Sequence, residues 1–568
     1  MRRAIPQITV LAGLAALSLL AAAPAAAQVF DERFDDWPVD LRIRGVVVVA
    51  SDLDDTGVLK EAVGPAPGKR RVSVLVDGAA NETLEKDYEA VFGGNDDGDD
   101  AKRRTTVVRT SEKLGEQLAH SVERADVICW HAPPMLTVMR QADLRSAREA
   151  LVKHIDAGRI AIAVGANARA LGAGYVVANV EQPRVADGLG LLPDCVIATN
   201  YDDAADRGRL LAGLALRPRS VGIGIEKNTA IVLAGRLIRV VGSGTATFVL
   251  MANEREPLRV QKIAAPKSPR QAPEEFLVDL TEWRRDAIDR TLEPFPPERP
   301  GKPFVENGAL VIVGGGGMPR GLMWRFVELA GGKEKAKLVY VPCAEEDEVG
   351  ERHGTVGEWK RMGVAHTAFV HTKDRRRANE DDAFLAPLKE ATGLWFGGGR
   401  QWNLSDSYYG TTAHRLMKDV LRRGGVIGGS SAGASIQARY LARGTPIGNT
   451  RIMAPGYERG GLGFLDGVAI DQHFSQRGRQ RDMTELVTRY PQLLGIGLDE
   501  ATAIVVQKST AEVVGNGQVF FYDRRQPVYP DRPDYVALPE GGRYELVERK
   551  VIAYEQNATA DVPRATEP

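Results

Sequence analysis

Ser431 stands in Gly429-Ser430-Ser431-Ala432-Gly433, a Gly-x-Ser-x-Gly pentapeptide. It follows the short apolar run Val426-Ile427-Gly428 and precedes the helix-compatible Ala434-Ser435-Ile436-Gln437-Ala438. Small residues around the serine let a chain turn sharply from strand to helix and hold the hydroxyl up at the strand's end. The N–H of Ala432 and the positive end of the new helix then face any oxyanion formed there. A serine hydroxyl needs a base, and the base needs an orienting acid. Downstream of Ser431 there is a single histidine, His473, at the end of Val468-Ala469-Ile470-Asp471-Gln472. The acids in reach of the pattern are Asp471, Asp499 and Glu500, the last two closing the strand-like Leu494-Gly495-Ile496-Gly497-Leu498. Arg477, Arg479 and Arg481 crowd behind the histidine, an arrangement suited to an anionic substrate held by charge-assisted pairs. Upstream, Leu394-Trp395-Phe396 runs into Gly397-Gly398-Gly399-Arg400-Gln401. Backbone amides in such a turn approach a bound carbonyl closely. Gly398 and Gly399 are therefore the expected second oxyanion donor, beside Ala432.

These residues must be delivered by the ends of strands. Apolar strand-like runs (Gly45–Ala50, Val72–Val76, Ala125–Trp130, Arg159–Gly165) alternate with helical spacing such as Leu144–Ala157. That alternation predicts an α/β fold with parallel sheets covered on both faces. The two halves of the chain also resemble each other. Gly188-Leu189-Gly190 matches Gly461-Leu462-Gly463, Thr229-Ala230-Ile231-Val232 matches Thr502-Ala503-Ile504-Val505, and Val240-Val241-Gly242 matches Val513-Val514-Gly515, all at an offset of about 273. The expectation is two tandem α/β sandwich domains, the first a degenerate copy of the second. By this offset His473 falls on Asn200 and Glu500 on Lys227; upstream, Gly165-Ala166-Asn167-Ala168 falls on Gly429-Ser430-Ser431-Ala432 at an offset of 264, which sets Ser431 on Asn167, so the first copy holds no nucleophile, base or acid. The reading divides the chain into a signal peptide (1–27), a degenerate domain (42–260), a Pro-rich linker carrying a docking helix (261–305), a catalytic domain (306–555) and a disordered tail (556–568). It also expects the first copy to pack against the second as an intramolecular pseudo-dimer, or the chain to form a homodimer. Asn516-Gly517 predicts a hairpin, and the segment between Glu82 and Arg104, dense in Asp and Gly, predicts a solvated loop.

Composition narrows the class. The 74 Lys and Arg nearly balance the 75 Asp and Glu, which gives no support to nucleic acid or an anionic membrane as partner. Arg2-Arg3, the apolar stretch Val10–Leu20 and Ala25-Ala26-Ala27 have the form of a secretory signal cleaved after Ala27, and predict export to the periplasm or beyond. Cys129, Cys195 and Cys343 show neither disulfide nor metal spacing. The four glycines Gly314–Gly317 lack the Lys-Ser/Thr of a phosphate loop and read as a tight active-site turn. No metal and no cofactor is expected.

Three motifs in order, Gly428-Gly429-Ser430-Ser431-Ala432-Gly433-Ala434, Asp471-Gln472-His473-Phe474-Ser475-Gln476-Arg477-Gly478-Arg479 and Gly495-Ile496-Gly497-Leu498-Asp499-Glu500-Ala501-Thr502-Ala503, resemble the cyanophycinases. These are serine peptidases related to the aspartyl dipeptidases, with a fold like a type 1 glutamine amidotransferase domain. The resemblance spans about Gly308 to Asp523. It implies Ser431 as nucleophile, His473 as base and Glu500 as the orienting acid, with Gln401 and the arginines holding the substrate. It implies a peptide substrate, a poly-aspartate backbone bearing arginine on each side-chain carboxyl, released as β-Asp-Arg dipeptides. One departure from the family pattern is the third arginine, Arg481, which comes early and is followed by Asp482. An α-aspartyl dipeptidase and a non-catalytic module recognising Asp/Arg-rich peptides are the alternatives. An amidotransferase would carry cysteine where Ser431 stands.

Overall fold

The computed structural model describes residues 41–553 except 42, 64–70, 77–81, 93–104, 110–120, 132–140, 178–183, 268–272, 347–348, 350–353 and 449–450. The expected signal peptide, the Asp/Gly run Gly93–Asp100 and the C-terminal tail lie outside the described residues.

The C-terminal half is built on a nine-stranded sheet and a five-stranded sheet. In the larger one, five strands run parallel in the order His366–Phe369, Lys337–Cys343, Gly393–Gly399, Val426–Ser430 and Val305–Val313. Thr502–Lys508 then pairs antiparallel with Val305–Val313, and three more antiparallel strands complete the sheet. The sheet is therefore mixed, not parallel throughout. Its parallel strands are apolar along nearly their whole length, Ala309–Val313 being wholly buried, as strands covered on both faces must be. On one face Phe326, Trp359 and Trp395 pack together, with Phe326 meeting Trp395 edge-on at 5.1 Å between centroids. The smaller sheet runs Ala438–Tyr440, Leu465–Gln472, Leu494–Leu498, Val519–Asp523 and Val536–Leu538. Its outer face is covered by the helix Gln480–Arg489 through Met483, Leu486 and Val487.

The N-terminal half repeats this layout. Its larger sheet holds, in order, Thr105–Arg109, Val72–Val76, Val127–His131, Ile160–Val164, Ile43–Ala50, Thr229–Gly235, Leu237–Gly242 and Leu277–Asp279. The first five are parallel and the last three antiparallel, the same strand order as in the C-terminal half. The expected loop from residue 82 instead begins with a helix, Glu82–Phe92, whose apolar positions Leu84, Tyr88 and Phe92 recur at helical spacing. Asn516-Gly517 closes no hairpin. Thr510–Gly515 belongs to the nine-stranded sheet and Val519–Asp523 to the five-stranded one, so the dipeptide crosses between sheets. A Cβ on Gly517 would sit 2.7 Å from the Cβ of Asp499, so glycine is kept there for close passage, not for a type I′ turn.

Arg259–Ala264 adds a strand to the smaller N-terminal sheet. Leu280–Asp289 forms a helix capped by the Asp279 carboxylate, which accepts from the Glu282 N–H. Nine of its ten residues are buried, including Arg284, Arg285 and Trp283. Arg285 and Arg236, the latter in the turn before Leu237–Gly242, both reach Asp406 in the C-terminal half, at 2.6 and 2.7 Å.

Candidate active site

The elbow turns where the sequence places it. Val426–Ser430 is a buried strand between Gly393–Gly399 and Val305–Val313, and a short helix starts at Ala432. Ser431 sits at the corner with φ 56° and ψ −114°, a conformation a non-glycine residue adopts only when its surroundings hold it there. Close packing enforces it. A Cβ on Gly429 would lie 2.2 Å from the Gly433 carbonyl oxygen, and one on Gly433 2.2 Å from that of Phe396. The turn therefore closes only with glycine two residues either side of the serine.

Ser431 Oγ lies 2.9 Å from His473 Nε2. His473 Nδ1 lies 2.6 Å from Glu500 Oε1. The carboxylate can only accept, so Nδ1 carries the proton and Nε2 is left as the acceptor of the Ser431 hydroxyl. His473 follows Leu465–Gln472 and Glu500 follows Leu494–Leu498, so both come from the carboxyl ends of neighbouring parallel strands of the smaller sheet. Ser431 comes from the larger sheet, and the three groups meet across the gap between the two.

The backbone around them is fixed at several points. The His473 N–H donates to the Gly314 carbonyl, the Ala501 N–H to that of Gly315, and the Ser431 N–H to that of Val313. A Cβ on Gly315 would come within 2.5 Å of the His473 ring, and one on Gly316 within 2.3 Å of the Glu500 carboxyl. The glycine turn is thus a wall pressed against the imidazole–carboxylate pair. The Glu500 N–H donates to Gln476 Oε1. In the sequence, the place of Gln476 three residues past the histidine is the signal of this role.

Of the three candidate acids, only Glu500 faces the imidazole. Asp471 is wholly buried and bound by Arg443 and Arg479. Asp499 accepts from the N–H groups of Ser475 and Gln518. Burial holds the His473 imidazole below its usual pKa; the bond to Glu500 opposes this and the nearby Arg477 charge reinforces it. A neutral ring at neutral pH is what a general base requires.

The remaining candidates divide. Gly398 lies beside the serine, where its Cβ would stand 3.4 Å from that of Ser431, and it is exposed. Gly399 is turned the other way, with φ 144° and its open side against the Cys343 carbonyl. Ala432 is buried at the first position of the elbow helix. Arg477 and Arg481 are exposed. Arg479 is buried and spends its guanidinium on Asp471 and the Gln472 carbonyl, at 2.8 and 2.6 Å. Gln401 is buried too, its amide nitrogen donating to the carbonyls of Ala442 and Arg443. Arg479 and Gln401 thus hold the loops behind the site.

The corresponding place in the N-terminal half is filled differently. Ala50 pairs with Val164 there as Val313 pairs with Ser430 here, so the residue opposite Ser431 is Gly165, not Asn167. Gly165 has φ 65°, close to that of Ser431. Asn200, opposite His473, also shares its positive φ (56° against 51°). Its amide donates to Asp52 at 2.7 Å and its Oδ1 accepts from Ser51 at 2.8 Å. Lys227, opposite Glu500, pairs with Asp54 at 2.9 Å. The two-residue error over Asn167 arose because the segment before the elbow is offset by 266, not by 264. Among the described residues no cluster of ligands fits a metal ion, and no helix is long and apolar enough to cross a membrane.

Residues 309–514 match the model of peptidase family S51. The cyanophycinase of Geminocystis herdmanii (strain PCC 6308) is 29% identical over 234 residues, covering 40% of this chain and 85% of that protein. That of Trichormus variabilis (strain ATCC 29413 / PCC 7937) is 26% identical over 270 residues, covering 44% and 89%. A solved peptidase from an acI-B1 Actinobacterium aligns with 42% of this chain and 97% of its own, at 21% identity and a TM-score of 0.33.

Proposed function

We infer, starting from the fact that the C-terminal half of this chain belongs to peptidase family S51 and is a serine-type peptidase, that it cleaves aspartyl or β-aspartyl-arginine linkages through an acyl-enzyme. The observation carrying this reading is the continuous relay of Ser431, His473 and Glu500, with contacts of 2.9 and 2.6 Å. His473 Nε2 takes the Ser431 proton as Oγ attacks the carbonyl carbon, while Glu500 holds the ring and stabilises the imidazolium. The N–H of Ala432 and the backbone at Gly398 receive the oxyanion. The imidazolium then gives its proton to the leaving amine, and a water, deprotonated by the same ring, frees the acid.

Arg477, exposed and close enough to His473 to act on its charge, is suited to hold a substrate carboxylate. Family likeness adds the substrate class, since the relatives bear the name cyanophycinase. Release of β-Asp-Arg from cyanophycin, set against a panel of α-aspartyl dipeptides, tests this. Turnover of the α-dipeptides alone would overturn the β-aspartyl assignment.

The N-terminal half is read as a duplicated copy that lost its chemistry. Matching strand order supports this, as do glycine, asparagine and lysine at the three catalytic places. It packs on the catalytic half as an intramolecular pseudo-dimer. The Arg2–Ala27 pattern supports an exported protein cleaved after Ala27.

A further inference from the structure

A cavity of about 700 Å3 opens where the N-terminal half, the Pro-rich connection and the C-terminal half meet. It is remote from the catalytic relay. Tyr490, on its wall, precedes Leu494–Leu498, whereas Glu500 follows that strand, so cavity and relay lie at opposite ends of the smaller sheet. Its charges are unevenly satisfied. Arg259 pairs with Asp286, Arg459 with Asp289 and Arg489 with Glu256, at 2.6, 2.8 and 2.7 Å. Glu458 is different. Its side chain accepts from the Tyr440 hydroxyl at 3.0 Å, and among the described residues no cation lies in salt-bridge range of it. Arg255, which also lines the cavity, donates to the Leu292 carbonyl and, among the described residues, meets no carboxylate. Among the described residues the cavity keeps Glu458 and the exposed Glu298 without a cation and Arg255 without an anion, a lining suited to a molecule carrying both charges. The volume is in the range of small-ligand sites and fits an amino acid or a dipeptide.

We propose that this cavity is a second, non-catalytic binding site for a small zwitterion bearing a guanidinium, arginine or an arginyl dipeptide, with the cation on Glu458 and the carboxylate on Arg255. The cavity and its charges stand on geometry alone; only the choice of guanidinium over ammonium rests on the function proposed above. Occupied, the site would let a product bind where all three parts of the chain meet.

Proton linkage gives the site a signature. Glu458 is faced by Tyr440 and Tyr490 from the C-terminal half, by Asp286 and Asp289 from the helix Leu280–Asp289, and by Glu256, with Arg459 and Arg489 paired beside them. Burial, with those neighbouring carboxylates, raises its pKa to about 8, while the Tyr440 bond opposes the rise. A cation binds the charged form, so binding must expel a proton and tighten as pH rises.

Isothermal titration of the full chain with L-arginine, L-citrulline, agmatine and L-lysine tests the proposal. Arginine should bind, roughly tenfold more tightly at pH 8.5 than at pH 6.5, as expected for a group titrating between them. Citrulline, uncharged at the side chain, agmatine, without the carboxylate, and lysine should each bind at least tenfold more weakly. Glu458→Gln should weaken arginine at least tenfold and flatten the pH dependence. Arg255→Ser, at an exposed position, should weaken arginine and leave agmatine unchanged. The proposal is overturned if arginine fails to bind at millimolar concentration at pH 8.5, if lysine matches it, or if both variants bind it like the parent. Release of β-Asp-Arg by the same preparation reports on the catalytic reading separately, since no titration depends on turnover.

Discussion

Replacing Asp406 with alanine should loosen the two halves and lower turnover together. Asp406 lies in the helix Gln401–Tyr408, which starts immediately after Gly398-Gly399-Arg400. Its carboxylate is buried and takes Arg285 on one oxygen at 2.6 Å and Arg236 on the other at 2.7 Å, with the Tyr457 hydroxyl at 3.2 Å. Burial alone would raise its pKa, yet Arg285, Arg236 and Lys373 outweigh it and hold the group well below the ordinary carboxylate range. A depressed pKa stabilises the fold at every pH above the unfolded value near 4, and the contribution fades only as pH falls below it. At neutral pH the full effect is present. Removing the carboxylate takes from Arg285, only 1% exposed, the counter-charge it meets at 2.6 Å. Breaking a buried pair in this way costs about 3–5 kcal/mol. Urea unfolding at pH 7 should show a loss of that size. Its turnover should also fall, because the helix that carries Asp406 begins directly after Gly398-Gly399-Arg400 beside Ser431. An Asp406→Ala protein within about 1 kcal/mol of the parent, with unchanged kcat, would refute the idea that this cluster couples the halves.

Gly315→Ala places a methyl 2.5 Å from the His473 ring at a position with φ 94°, so kcat should fall roughly a hundredfold or more while KM changes little. The acid limb of kcat/KM should lie below the usual histidine pKa, because burial and Arg477 disfavour the imidazolium that protonation would form. Arg477→Glu should move that limb to higher pH, which a pH–rate profile reads directly. Asn167→Ala, opposite Gly433 in the N-terminal half, should leave turnover within about twofold of the parent, as expected of a residue outside the relay.

The chemistry was more legible in the sequence than the architecture. Ser431 and His473 stood out because each closes an apolar strand, and strand ends are where a sheet delivers polar groups; Glu500 was singled out only by the family resemblance. Asp471 and Asp499 sit at equivalent strand ends, and sequence alone left them open beside Glu500. What separates them is which backbone amides and guanidiniums surround each, a matter of tertiary packing. Arg479 was expected to meet substrate because its charge and place beside His473 suit that role, and Gln401 because the family resemblance implies it, but burial commits them to Asp471 and to the carbonyls of Ala442 and Arg443. Asn516-Gly517 misled because a glycine needed for close passage looks the same as one needed for a turn. The match of Ser431 to Asn167 failed because aligning like residues hides a two-residue shift that strand pairing reveals.

The most direct test of the serine relay is covalent. The full chain treated with a fluorophosphonate at pH 7.5 and then digested should carry the added mass on the peptide containing Ser431. Labelling should be lost in Ser431→Ala and strongly slowed in His473→Ala. Labelling on another residue, or labelling of Ser431→Ala at the parent's rate, would contradict the assignment of Ser431 as nucleophile.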